Sequence, residues 1–165
     1  MHEELSDRTI RLVGIPAFGI GIPNLTGLFG PLGPADGLYW LGYAYFVTLS
    51  FLIWQGNRYF LLRQRAHFDW FDHPARKVMV LLAANVLYTA PLTVAMLWLW
   101  YVRAGFAAVD WDAIETVTLM NVICVIFITH VYETVYLIQQ REDDLVRVER
   151  LERARAEAEL EALKN

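Results

Sequence analysis

The chain has 165 residues, of which 56% are hydrophobic and only 19% are charged, and its formal net charge is -4. This composition is typical of a membrane domain, and it leaves little polar surface for a soluble fold of this size. The charge gives no indication of nucleic-acid binding, so we expect no nucleic acid among the partners.

Four apolar runs have the length of a membrane-spanning helix, since a hydrocarbon core about 30 Å thick needs roughly 20 apolar residues. They extend from Leu12 to Phe29, Leu38 to Phe60, Val78 to Val102 and Ile114 to Ile138. We therefore predict an all-α fold: a four-span transmembrane helix bundle surrounded by membrane lipids. No small-residue cleavage site follows the first run, so we expect it to remain in the mature protein.

The basic residues predict the orientation of the bundle. Five of them lie between Arg58 and Lys77, in and beside the connection of the second and third runs. Residues 31–37 carry no Lys or Arg, and residues 103–113 carry only Arg103. Short loops rich in Lys and Arg stay in the cytoplasm, so the connection of the second and third runs is expected there. With four spans, both termini lie on the same side as this connection and are also expected in the cytoplasm. Aromatic residues at Tyr39, Trp40, Trp98, Trp100 and Tyr101 are predicted to mark the outer interface.

The first run is crowded with helix-breaking residues: Gly14, Pro16, Gly19, Gly21, Pro23, Asn24 and Gly27. Such residues persist in a membrane where neighbouring helices satisfy the backbone. One interpretation is a kinked helix packed against its neighbours, with glycines that permit close backbone approach. The other is a ligand cleft beside a break at Pro23 and Asn24.

The loop between Arg63 and Lys77 combines basic residues with Phe68, Trp70 and Phe71. Mixtures of this kind lie at the headgroup boundary of a membrane. We expect anchoring at this boundary, with Asp72 capping a helix that begins near Pro74.

Polar groups inside a span cost several kcal/mol unless they are paired, so each one requires a partner. In the third run Asn85 and Thr89 share a helix face, and in the fourth run Asn121 shares one with Thr118. The ligand-sensing candidates that follow from this cost are Asn24, Asn85, Tyr88, Asn121, His130 and Glu133.

His130 and Glu133 lie three residues apart and are neighbours on a helix. One interpretation is structural, with hydrogen bonds across the bundle. Another is a proton-sensitive switch or a ligand contact, since histidine titrates near physiological pH. Metal or haem binding is the third, with His130 as its only weak candidate. We expect no metal site and no haem, because a metal site needs three or four well-spaced ligands.

The segment after the fourth run changes to Glu, Arg, Ala and Leu, and no Gly or Pro occurs after Gly105. One helix is therefore predicted to leave the membrane and continue, over roughly 80 Å from Ile114. Opposite charges are spaced for ion pairs at Asp143 with Arg147 and at Glu149 with Arg153. A thin apolar stripe predicts a parallel coiled coil with a second copy, through Leu145, Val148, Leu151, Ala158 and Ala162.

The predicted domains are a four-helix transmembrane domain over residues 1–138 and a cytoplasmic coiled-coil helix over residues 139–165. The sequence contains no phosphate loop, no nucleophile with a recognisable base and no Cys/His cluster of metal spacing. We therefore expect no catalytic residues and no cofactor in this chain.

Several features resemble the membrane input region of LytS/YehU-type bacterial sensor histidine kinases. They are the order of the spans, the sequence from Trp54 to Arg58, the loop from Trp70 to Arg76, and the pair Tyr132 and Glu133. The tail from Ala154 to Asn165 is similar to the segment that precedes the phosphoacceptor motif in that family.

The resemblance implies a homodimeric sensor of the bacterial inner membrane that belongs to a two-component system. A kinase domain beyond this chain would bind ATP, phosphorylate a histidine and pass the phosphoryl group to a response regulator. A stimulus would change how two copies of the fourth helix pack. Two other functions remain open: a non-signalling membrane anchor or scaffold with a partner-binding coiled coil, and a small transporter subunit.

Overall fold

The computed structural model describes residues 2–30, 32–67 and 74–164, with side chains for residues 10–30, 32–65 and 76–163. Regular structure within these residues is entirely helical: α1 (His2–Leu25), α2 (Gly37–His67), α3 (Pro74–Arg103) and α4 (Trp111–Lys164). The predicted all-α fold is confirmed. The predicted aromatic anchor and the capping role of Asp72 concern residues 68–73, which lie outside the described residues.

Three helices, α2, α3 and α4, are long and apolar enough to cross a membrane. The apolar part of α1, Ile10–Leu25, is shorter. The chain is therefore an all-α bundle of membrane type, in which the first predicted span differs from the other three.

One of the two interpretations of the first run assumed a break at Pro23 and Asn24. Instead, α1 contains both Pro16 and Pro23 and continues to Leu25. The helix ends where the chain turns through Gly27 and Gly30, whose φ values are +65° and +51°. Only glycine adopts this conformation at little cost. In the last turn, the carbonyl of Ile22 accepts from both the backbone N–H and the hydroxyl of Thr26.

The chain packs as two units, Met1–Phe127 and Ile128–Asn165. The first contains α1, α2, α3 and the beginning of α4. Its α2 packs against both α1 and α3. Buried apolar residues from all four helices or their connections form its core, including Ile22, Phe29, Phe46, Leu49, Ile53, Leu97, Trp100, Ile114 and Val117.

Glycines set the distance between α1 and α2. A Cβ atom added at Gly14 would lie 2.8 Å from the ring of Trp54, and one added at Gly19 would lie 2.6 Å from the Cα of Val47. Gly21 and Gly27 have no neighbour within 4 Å of such an atom. Close backbone approach is thus confirmed for Gly19, whereas the absence of a side chain at Gly14 makes room for the Trp54 ring. It is wrong for Gly21 and Gly27.

The aromatic residues predicted to mark the outer interface differ in burial. Trp40 and Trp98 are exposed, whereas Trp100 and Tyr101 are buried in the core of the first unit. The ring of Trp100 packs against Tyr45 and Phe46 with centroids 5.4 Å apart in each case. Trp100 and Tyr101 therefore pack inside the first unit, and the position of all these residues relative to a membrane stays a prediction.

The second unit is the remainder of α4, a helix of 54 residues in all. Its residues Thr129 and Glu133 are buried, whereas every described residue from Arg141 onward is exposed. Ion pairs join Arg153 to Glu149 at 2.5 Å and Arg155 to Glu159 at 3.0 Å. The continuous helix is as predicted; the coiled coil and the domain boundary at residue 138 stay predictions.

Candidate functional site

The core of the first unit has an aromatic end and a polar end. Phe29, Phe46 and Trp100 are buried near the α1–α2 and α3–α4 connections. From the middle of α2 and α3 toward the end where α2 ends and α3 begins, many buried residues are polar. They are Asn57 and Gln64 from α2 and Lys77, Asn85, Thr89 and Thr93 from α3.

A chain of hydrogen bonds, here called the polar chain, joins α2, α3 and α4 through Asn57, Thr89, Thr93 and Asn121. The Asn57 Nδ2 donates to Thr89 Oγ1 at 2.9 Å and to the Ile53 carbonyl at 2.8 Å. The Thr93 hydroxyl donates to the Thr89 carbonyl at 2.7 Å. The Asn121 Nδ2 donates to Thr93 Oγ1 at 3.4 Å.

The number of protons available for hydrogen bonds determines the orientation of the Asn121 amide. The hydroxyl of Thr93 has one proton, which it gives to the Thr89 carbonyl. The Asn121 atom facing Thr93 must then be the Nδ2 donor. The Oδ1 acceptor of Asn121 consequently points away from Thr93, and among the described residues it accepts no hydrogen bond.

Asn85 lies one turn before Thr89 on α3 and is only 1% exposed. Neither its Oδ1 nor its Nδ2 has a hydrogen-bond partner within the described part of the chain, and the same holds for the Oδ1 of Asn57. A buried amide without partners costs roughly 1–3 kcal/mol in stability. Residues that a fold retains at such a cost are candidates for function.

A small cleft opens between α1, α2 and α4 in the first unit. Gly19 and Pro23 contribute from α1, Phe46 and Ser50 from α2, and Asn121 from α4. The space in this cleft that a water-sized molecule can occupy is about 20 Å³. One interpretation of the first run was a ligand cleft beside Pro23, and the other was a packed helix. The structure has a packed helix with a small cleft beside Pro23, and binding of a ligand there stays a prediction. Asn24 is not among the residues that line it.

The remaining polar candidates of the first unit have internal partners. Asn24 is exposed; its Oδ1 accepts from the Tyr43 hydroxyl at 3.0 Å and its Nδ2 donates to the Ile20 carbonyl at 2.7 Å. The Tyr88 hydroxyl donates to the Leu52 carbonyl at 3.0 Å. Both residues therefore connect helices, and their role as ligand contacts stays a prediction.

In the second unit His130 and Glu133 have different environments. Glu133 is 4% exposed, whereas His130 is exposed and its carbonyl accepts from the Thr134 hydroxyl at 2.8 Å. Among the described residues no group of three or more His, Cys, Asp or Glu side chains has the geometry to hold a metal ion. The coiled-coil residues Leu145, Val148, Leu151, Ala158 and Ala162 are all exposed along α4.

The sequence interpretation selected Asn85 and Asn121 but did not select Asn57, Thr93 or Ser50. One signal pointed to Thr93: Asn85, Thr89 and Thr93 recur every four residues and so lie along one face of α3. Ser50 gave no such signal, since a single serine in an apolar helix usually bonds to its own backbone.

Comparison with known proteins finds no matching family model, no matching curated protein and no matching solved structure.

Proposed function

We propose that the chain is the membrane-embedded sensory and dimerisation region of a two-component sensor histidine kinase. In this proposal it resides in the bacterial inner membrane with four crossings and both termini in the cytoplasm. A kinase domain that follows it binds ATP and phosphorylates a response regulator.

The observation that carries the proposal is the single helix α4. It begins among buried residues, with Ile114 and Val117 each 2% exposed, and it continues without interruption into a segment that is exposed throughout. A helix transmits rotation or sliding along its axis because its backbone hydrogen bonds make it stiff. Apolar residues on the exposed segment supply the surface through which two copies would pair.

The polar chain supports a sensory role more than a purely anchoring role. A membrane anchor needs no buried amides, since lipid tails accommodate apolar side chains at no cost. Buried polar groups hold helices in discrete arrangements, and a difference of a few kcal/mol between two arrangements is enough for a switch. Thr93 and Asn121 link α3 to α4, the helix that would carry the output.

The position of α1 supports four crossings. Gly14 lies against Trp54, Gly19 against Val47, and Asn24 bonds to Tyr43. As the residue numbers in α1 increase, those of their contacts in α2 decrease, so the two helices are antiparallel over much of the length of α2. If α2 crosses the membrane, a helix that lies beside it over this length crosses most of the membrane as well.

The test joins residues 1–165 to the catalytic region of a sensor histidine kinase and inserts one, two, three, four or seven residues after Gln140. Each inserted residue rotates the following helix by about 100°. Autophosphorylation in membrane vesicles is expected to change with one or two insertions and to return toward the original level with seven, which restores the heptad phase.

The matched control inserts one residue after Ala108, in the connection before α4. This insertion leaves the helical phase between the buried part of α4 and its exposed segment unchanged. Equal phosphorylation across the whole series at Gln140 would contradict the sensory proposal. That result would favour the membrane anchor or scaffold.

A further inference from the structure

The cleft in the first unit contains two side chains whose hydrogen-bonding capacity is not used internally. The Oδ1 of Asn121 accepts no bond from the described residues, although the residue is only 9% exposed. The hydroxyl of Ser50 likewise has no partner among them. Both residues line the same cleft, so its wall includes a residue with an unused amide acceptor and a residue with an unused hydroxyl.

The surroundings restrict the chemistry of an occupant. None of the ten residues that line the cleft carries a charge, and eight of them are apolar or glycine. An ion would lose its hydration without gaining an opposite charge. A purely apolar molecule would leave the amide oxygen and the hydroxyl without partners. The cleft therefore favours a neutral molecule with one polar group.

The size of the cleft restricts the occupant further. A volume of about 20 Å³ for a water-sized molecule exceeds the roughly 10–15 Å³ that one water needs. It therefore admits a hydroxyl group. The apolar body of a larger molecule would lie beside apolar residues of the cleft such as Phe18 and Leu49.

From these features we propose that the cleft binds the hydroxyl group of a small, neutral, lipophilic alcohol or phenol that enters from the membrane. The ligand hydroxyl donates to Asn121 Oδ1 and accepts from Ser50 Oγ. The proposal rests on the sensory function and names the chemical class of its stimulus.

Asn121 connects this cleft to the polar chain. Its Nδ2 bonds to Thr93 over 3.4 Å, a long contact, whereas Thr93 bonds to the Thr89 carbonyl at 2.7 Å. A ligand that orders the Asn121 amide changes the weakest bond of the polar chain, the one that joins α3 to α4. Occupancy of the cleft would in this way alter the position of the output helix.

The test measures binding of two fluorinated probes to the purified chain in lipid nanodiscs by ligand-observed fluorine NMR. The probes 4-fluorophenol and 4-fluoroanisole have similar size, but only the phenol donates a hydrogen bond. Empty nanodiscs account for partition into lipid. We expect saturable binding of the phenol and binding of the anisole that is weaker by about fivefold or more, as loss of one hydrogen bond implies.

Ser50→Ala and Asn121→Leu are each expected to weaken phenol binding by a similar factor. Ser50→Leu, which also fills the cleft, is expected to abolish it. Thr48→Ala is the matched control, because it removes an exposed hydroxyl from the same helix outside the cleft. Circular dichroism and thermal unfolding verify that each variant is folded.

Equal binding of the two probes, or phenol binding that both Ser50→Ala and Asn121→Leu leave unchanged, would overturn the proposal. The experiments distinguish a wrong binding site from a wrong sensory function. Binding is measured on the chain alone, whereas the insertion series at Gln140 reads kinase output without any ligand.

Discussion

The backbone of Gly19 in α1 lies directly against the backbone of Val47 in α2, so that a Cβ atom at position 19 would be 2.6 Å from the Val47 Cα. Val47 Cγ2 would be 2.9 Å from the same atom. No side-chain rotation relieves a clash with a Cα atom. The spacing of α1 and α2 therefore depends on the absence of a side chain at one residue.

Gly19→Ala is expected to destabilise the first unit by about 1–3 kcal/mol, the usual cost of overpacking. Thermal unfolding of the purified protein in detergent, followed by circular dichroism, measures the effect. Gly21→Ala is the matched control, since an added Cβ atom meets nothing within 4 Å. Alanine forms helix better than glycine by up to about 1 kcal/mol, so the control should be neutral or stabilising. Similar destabilisation by both substitutions would contradict the packing described for α1.

Asn85→Leu is expected to raise stability by about 1–3 kcal/mol. The leucine is of similar size, and it removes a buried amide whose donor and acceptor are both without partners among the described residues. Denaturant titration in detergent gives the change in unfolding free energy.

Asn57→Leu provides the contrast, because it removes the bonds to Thr89 and to the Ile53 carbonyl. It should lower stability by about 1 kcal/mol. If Asn85 takes part in sensing, Asn85→Leu should also reduce the response, as stabilised functional sites usually do. A destabilised Asn85→Leu variant would show that the amide has a structural partner.

Membrane crossings are tested with single cysteines in a Cys124→Ser background and a maleimide reagent that does not cross membranes. Cysteines at Ala35 and Ala107 are expected to react in intact cells. Cysteines at His2 and Arg141 should react only after permeabilisation, because the basic α2–α3 connection is predicted to be cytoplasmic. Reaction at His2 in intact cells would mean that α1 does not cross and that the protein has three spans.

Pairing of two copies through α4 is tested by oxidative cross-linking in the same cysteine-free background. Leu151→Cys lies on the apolar stripe and is expected to form a disulfide between copies. Arg153→Cys is the matched control, since two residues along a helix turn the side chain to the opposite side. Both positions are exposed in the single chain. Equal cross-linking of the two variants would remove the predicted stripe as the contact surface.

The helices were largely predictable from local features. The third run was expected from Val78 to Val102 and α3 extends from Pro74 to Arg103. The continuity of α4 followed from the lack of Gly and Pro after Gly105. The end of α1 was less predictable, because Pro23 suggested a break whereas the turn depends on Gly27 and Gly30 adopting positive φ.

The candidate site was predictable only in part. The cost of burying an amide identified Asn85 and Asn121 as residues that need explanation. It did not reveal that Asn121 bonds to Thr93 while Asn85 has no partner among the described residues. The cleft was also beyond sequence reasoning, since α1, α2 and α4 each supply part of its wall.

By itself, the sequence determined the all-α class, the positions of the helices and the uninterrupted course of α4, because these depend on composition and on helix breakers close in sequence. The tertiary structure alone decided which faces of the helices are buried. A helix in a membrane is apolar toward lipid and toward its neighbours, so no period in the sequence marks the packed face. For the same reason only the register between helices decided that Gly19 meets Val47 and that Asn121 meets Thr93.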